Sequence, residues 1–148
     1  MTQSLPPKNI VLYADDDADD LEMVRESFQQ YKLIHLITFT NGNSLLQYAQ
    51  QLLTQNILPC LVILDVNMPG MSGKKTLKVL RSLIGYDSVP IVLFTTSTLP
   101  SEAAFANSYN AAFVTKPLRT EQITFIAEEL VEFCSDEVKK RINPQKNR

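Results

Sequence analysis

A single histidine, two cysteines and a net charge of only −2 leave several kinds of function without the residues they need. His35 lies in a short run broken by polar residues, with no carboxylate or thiol close by in the sequence, so it has no partner for metal binding or catalysis. It reads as a partly exposed residue of an edge strand. Cys60 and Cys134 stand at a separation that fits no metal or redox motif, and both read as small core residues. Without an excess of Lys and Arg there is no basic face for a phosphate backbone, which argues against nucleic acid as the main ligand. No stretch approaches the roughly 18–20 consecutive apolar residues of a membrane span. Residues 1–8 lack the apolar segment of a secretory signal, so the expectation is a cytoplasmic protein with no membrane partner. There is no internal repeat, no low-complexity linker and no room for a second domain in 148 residues.

What is present is an ordinary globular composition, 45% hydrophobic and 20% charged, arranged as alternating strands and helices. Five short apolar runs read as strands: 10–14, 33–39, 60–64, 91–94 and 111–115. Between them, helical spacing carries Leu21, Val24, Phe28 and Tyr31; then Leu45, Leu46, Ala49, Leu52 and Leu53; then Leu77, Leu80 and Ile84. A short Ala-rich helix over 101–108 has Ser101 as its expected N-cap. A last helix from about 120 turns Ile123, Ala127, Leu130, Val131 and Cys134 inward. Five strand–helix alternations predict an α/β fold, a five-stranded parallel sheet with helices on both faces. Right-handed crossovers make the order 2-1-3-4-5 a common solution, with its switch point between the first and third strands. The domain is expected over 8–135, with an N-terminal extension at 1–7 and a basic tail at 136–148 that frays from Lys139.

That winding brings acids together. The run Cys60-Leu61-Val62-Ile63-Leu64 has no polar alternation, as in a strand buried on both faces, and it ends in Asp65. The first run ends in Asp15-Asp16-Asp17, and neighbouring strands would place these carboxylates at one rim. Two unit charges roughly 4 Å apart cost on the order of 4 kcal/mol at an effective dielectric of 20. The rim therefore calls for a cation, a lysine or a proton with a raised pKa. An all-oxygen set suits Mg²⁺ or Mn²⁺. Thr95 and Lys116, at the ends of the fourth and fifth strands, complete a set able to bind a phosphoryl group, with a carboxylate as nucleophile. Asp17, Asp19 and Asp20 read instead as a solvated run that opens the first helix.

The same residues carry a resemblance. Val11-Leu12-Tyr13-Ala14-Asp15-Asp16, the stretch Leu64-Asp65-Val66-Asn67-Met68-Pro69-Gly70-Met71-Ser72-Gly73, Pro90-Ile91-Val92-Leu93-Phe94-Thr95 and Phe113-Val114-Thr115-Lys116-Pro117 stand in order, each at a strand end. Over about residues 8–135 the chain resembles a response-regulator receiver domain of the CheY-like superfamily. The resemblance implies that Asp65 accepts a phosphoryl group from a histidine kinase or histidine phosphotransfer protein. It implies a divalent ion, Mg²⁺ or Mn²⁺, on Asp16, on Asp15 through water, on Asp65, and on the backbone carbonyl of Asn67. Lys116 would pair with the phosphoryl group, ahead of a cis bond to Pro117. Thr95 would swing onto a phosphoryl oxygen while Phe113 repacks inward. Thr96, Asn110 and Ala112 depart from the usual alanine, glycine and aspartate, which bears on phosphoryl lifetime more than on competence. Asn67 and Ser97 occupy positions that influence dephosphorylation in the family.

These features lead to the expectation of a stand-alone response regulator that signals by protein contact to a downstream target and is not an enzyme with a metabolic substrate. Homodimerisation through the face of the fourth helix, fifth strand and fifth helix stays open. An interaction module acting without phosphorylation is the alternative; intact Asp65, Thr95 and Lys116 count against it. A phosphatase with an aspartyl intermediate would need an acid where Asn67 stands, and a flavin-binding protein a glycine-rich loop after the first strand.

Overall fold

In a computed structural model of the chain, residues 9–117 and 123–142 are described. Five strands form one parallel sheet: β1 (Ile10–Ala14), β2 (His35–Phe39), β3 (Leu61–Leu64), β4 (Ile91–Thr95) and β5 (Ala112–Thr115), in the order β2-β1-β3-β4-β5. The predicted winding and its switch point between β1 and β3 are therefore those of the structure. Helices α1 (Ala18–Phe28), α2 (Gly42–Thr54), α3 (Gly73–Ser82), α4 (Pro100–Ser108), α5 (Ile123–Val131) and α6 (Asp136–Ile142) surround it, with a 3-10 turn at Tyr86–Ser88.

Strand side chains alternate between two apolar layers, which is why the central strands show no polar alternation. Val11, Tyr13, Ile63 and Phe94 face α1, α5 and α6; Leu12, Val62, Leu64 and Leu93 face α2, α3 and α4. The register matches Ala14 with Leu64, and the Asp65 N–H donates to the Ala14 carbonyl at 3.0 Å. Asp15 and Asp65 thus leave the sheet side by side. On the edge strand β2, His35 is exposed, as its polar neighbours suggested.

Local chemistry sets the helix starts. Asp17 caps α1 by accepting from the Asp19 and Asp20 N–H groups at 2.8 and 3.1 Å, and Ser72 caps α3 by accepting from Lys75 N–H at 3.2 Å. The expected Ser101 cap is not formed. The helix α4 starts at Pro100, whose fixed φ suits the first helical position and whose missing N–H needs no acceptor there. Ile84 also departs from expectation: α3 stops at Ser82, Gly85 turns the chain at φ 91, and Ile84 is exposed.

The largest departure is at the C-terminal end. Residues 136–142 are a helix, because Val138 and Ile142, spaced i and i+4, are buried in the layer that holds α1 and α5. Its acids lie in the first turn and its basic residues in the last, each suited to the helix dipole. The fraying expected from Lys139 onward does not hold for residues 139–142, which are helical; the expected 1–7 extension and residues 143–148 lie outside the described part.

Candidate functional site

Asp15 is fully buried, and every contact it makes fixes it in place. Its Oδ2 accepts from the Tyr13 hydroxyl at 2.6 Å and from Lys116 Nζ at 2.7 Å, while its Oδ1 accepts from the Asp17 N–H at 3.0 Å. Burial and the adjoining carboxylate hold the Tyr13 phenol far above its ordinary range, so it stays a donor. One residue further, Asp16 is exposed. Carboxylate oxygens of Asp15, Asp16 and Asp65 all lie within 4.8 Å of one another.

The Asp65 side chain is only 8% exposed and sits 3.3 Å from Lys116 Nζ. Burial pushes its carboxyl up to about 6; Lys116 pulls the other way, and Asp15 and then Asp16 push up again. Glycine at position 73 lets α3 begin this close to β3. A Cβ there would collide with the Asp65 carbonyl oxygen and lie 2.8 Å from its carbon and 2.9 Å from Val66 Cα.

Lys116 follows β5 and is 5% exposed. Burial alone would lower its ammonium pKa, but hydrogen bonds to Asp15 and Asp20, with Asp15 and Asp65 nearby, carry it above the ordinary lysine value. Among the described residues it is the only cation paired with these acids, and the Phe94 ring centroid lies 5.8 Å from it. Thr95 is fully buried and its hydroxyl accepts from the Ser97 N–H at 3.2 Å. Phe113 is half-buried against the α4 layer. The Asn67 side chain is exposed, two residues past Asp65 in the β3–α3 loop. No cis peptide bond occurs among the described residues, so the expected cis bond before Pro117 is corrected to trans, the isomer X–Pro bonds intrinsically favour; Lys116 reaches its three carboxylates with it.

One site residue was missed. Asp20, read as part of a solvated run, accepts from Lys116 Nζ at 2.7 Å. The signal was available: Asp20 stands four and eight residues before the buried Val24 and Phe28, on the stripe that faces the sheet. A helix that follows a parallel strand begins at the carboxyl rim, so an acid on the inward stripe of its first turn points into the site.

The donor set fits a hard divalent cation. It is all oxygen, one acid is open to water, and the three carboxylates offer oxygens within 4.8 Å of one another, so a closing movement of a few tenths of an ångström brings them onto one ion, whose opposite ligands stand about 4.2 Å apart. A single lysine against Asp15, Asp16, Asp20 and Asp65 also leaves negative charge to be neutralised. A doubly wound sheet with this acidic switch point, a lysine and a buried threonine defines an α/β protein with a charged site at the carboxyl rim of its sheet. The family model for the response regulator receiver domain matches residues 11–128, and the chain belongs to that family.

Among curated proteins, the response regulator Rcp1 of Synechocystis sp. is 31% identical over 98 residues, 64% of this chain and 66% of Rcp1. The chain spans just under two thirds of Rcp1 and half or less of three other relatives. The phosphorylated cyanobacterial phytochrome response regulator RcpA shares the fold, with a TM-score of 0.78 at 19% identity over 88% of this chain and 96% of its own. Chemotaxis protein CheY4 of Vibrio cholerae gives 0.69 at 27% identity, over 83% and 98%. Receiver domains accept phosphoryl groups from histidine kinases, and the chain is homologous to response regulators of phosphorelay signalling.

Proposed function

We propose that this protein is a phosphorylatable response regulator that carries its signal on Asp65. The observation behind this reading is the Asp65 carboxylate itself: nearly buried, 3.3 Å from Lys116, and grouped with Asp15 and Asp16. An Asp65 oxygen attacks the phosphorus of a phosphohistidine, the P–N bond breaks with its electron pair returning to nitrogen, and the leaving imidazole takes up a proton from solvent. Lys116 then offers an ammonium hydrogen bond to the new phosphoryl oxygens, and Thr95 gives up its Ser97 contact to donate its hydroxyl. Phe113, already half-buried beside α4, fills the space that Thr95 leaves. Asp16, Asp15, Asp65 and the Asn67 carbonyl would hold Mg²⁺ or Mn²⁺, whose contribution is charge neutralisation of the transferring group. The Mn²⁺-bound form known for Rcp1 supports this choice of ion.

The protein turns over only its own phosphoryl group, and its output is contact with a partner protein. The α4–β5–α5 face is the surface such a partner or a second copy would read. The absence, among the described residues, of a helix long and apolar enough to cross a membrane supports a cytoplasmic setting. Incubation with acetyl phosphate should add one phosphoryl group only when Mg²⁺ is present, in a bond cleaved by hydroxylamine. Uptake that is indifferent to EDTA would refute the metal assignment, and equal uptake by Asp65→Asn would refute the nucleophile.

A further inference from the structure

We propose that Asp20 is a positioning residue that holds the Lys116 ammonium away from Asp65 and so restrains phosphoryl uptake. The proposal rests on the receiver reading given above. A lysine ammonium has three protons to donate. Two are taken at 2.7 Å, one by Asp15 Oδ2 and one by Asp20 Oδ2, whereas Asp65 Oδ1 stands at 3.3 Å. Asp20 and Asp65 approach the ammonium from different elements, α1 and the end of β3.

Asp20 is also fixed in its role. Its N–H is tied to the Asp17 cap at 3.1 Å, its side chain is 27% exposed, and it begins the stripe that continues through Val24 and Phe28 into the core. Asp15 cannot be the part that yields, because Tyr13 and the Asp17 N–H lock both of its oxygens. The third proton is left for Asp65, and when Asp65 carries a phosphoryl group, drawing the ammonium in from 3.3 Å to the incoming oxygens pulls it off the 2.7 Å bond to Asp20. Asp20 therefore stabilises the unphosphorylated state selectively. Its charge acts in the same direction, since it adds repulsion against an anionic donor.

Asp19 supplies the control for charge alone. It lies in the same turn, is exposed, and makes no ion pair with Lys116. With acetyl phosphate and Mg²⁺ below saturation, Asp20→Asn should raise the uptake rate about three- to tenfold, the range of a charge-assisted hydrogen bond at a partly exposed site. Asp19→Asn should change it less than about twofold. Equal effects of the two substitutions, or slower uptake in Asp20→Asn, would overturn the proposal while leaving the receiver reading intact. A second measurement needs no phosphorylation. The ¹⁵N-detected ammonium signal of Lys116 should be protected from exchange in the wild type and in Asp19→Asn, and lose protection in Asp20→Asn. An unaltered ammonium signal in Asp20→Asn would overturn the proposal even if uptake rose. A wild-type protein that takes up no phosphoryl group would instead overturn the receiver reading on which the competition depends.

Discussion

At the scale of single residues, the site stores electrostatic cost in Asp65. Its carboxyl is raised from 3.8 to about 6 by burial, so the folded protein binds its proton more tightly than the unfolded chain does. Stability from this group is fully present below the unfolded value and is lost as pH rises through the folded one. Over that window the loss amounts to about 3 kcal/mol in the metal-free protein. Asp65→Asn removes the titration and leaves Lys116 paired with Asp15 and Asp20. The variant should therefore gain on the wild type by about 2–3 kcal/mol between pH 4 and pH 7, read from urea unfolding in EDTA. Added Mg²⁺ should narrow the gap by binding the wild-type carboxylate. A difference that stays constant with pH would contradict the assignment. Asn110 belongs to this scale too: it stands where glycine is usual in the family, and its φ of 55 is a left-handed value that asparagine tolerates.

Among the elements, two contacts decide how the site is held. The start of α3 lies against the backbone of Asp65, with the Gly73 N–H donating to Val66 O at 3.0 Å. In Gly73→Ala the methyl would press on backbone rather than on a flexible side chain. The expected cost is about 1–3 kcal/mol, with slower phosphoryl uptake because the displaced strand end carries the nucleophile. Native stability together with native uptake would show that β3 and α3 separate freely. The second contact is α6 against the core layer on the other face of the sheet, with α1 and α5. Ile142→Ala in the full chain should lower unfolding free energy by about 2–5 kcal/mol, whereas a frayed end would give less than about 0.5. The Arg81 guanidinium ties another pair of elements, donating from α3 to the carbonyls of Tyr86, Val89, Tyr109 and Asn110. It anchors the C-terminal end of α4, while the N-terminal end begins at the exposed Leu99.

For the molecule as a whole, the fold follows from strand–helix alternation and from chirality. These two rules alone brought Asp15 next to Asp65 before any chemistry was invoked. The legible parts were those written in long, redundant patterns: five apolar runs, four of them ending in a polar residue of the site. What escaped was written in single spacings. The Val138/Ile142 pair is one helical repeat inside a charged segment, and charge density outweighed it. Asp20 is one inward position in an acidic run, and the run read as solvated. The proline start of α4 was legible in Pro100 itself, whose fixed φ suits the first helical position, but the serine that follows it was read as the cap; the trans bond before Pro117 is the intrinsic preference that the resemblance overrode. The central claim remains a chemical one about a single side chain among several acids of the same type. Treatment with acetyl phosphate and Mg²⁺, followed by borohydride reduction, converts an aspartyl phosphate to homoserine, and peptide mass mapping then locates it. Homoserine should appear at position 65 alone; homoserine at position 15 or 16, or at none, would contradict this account.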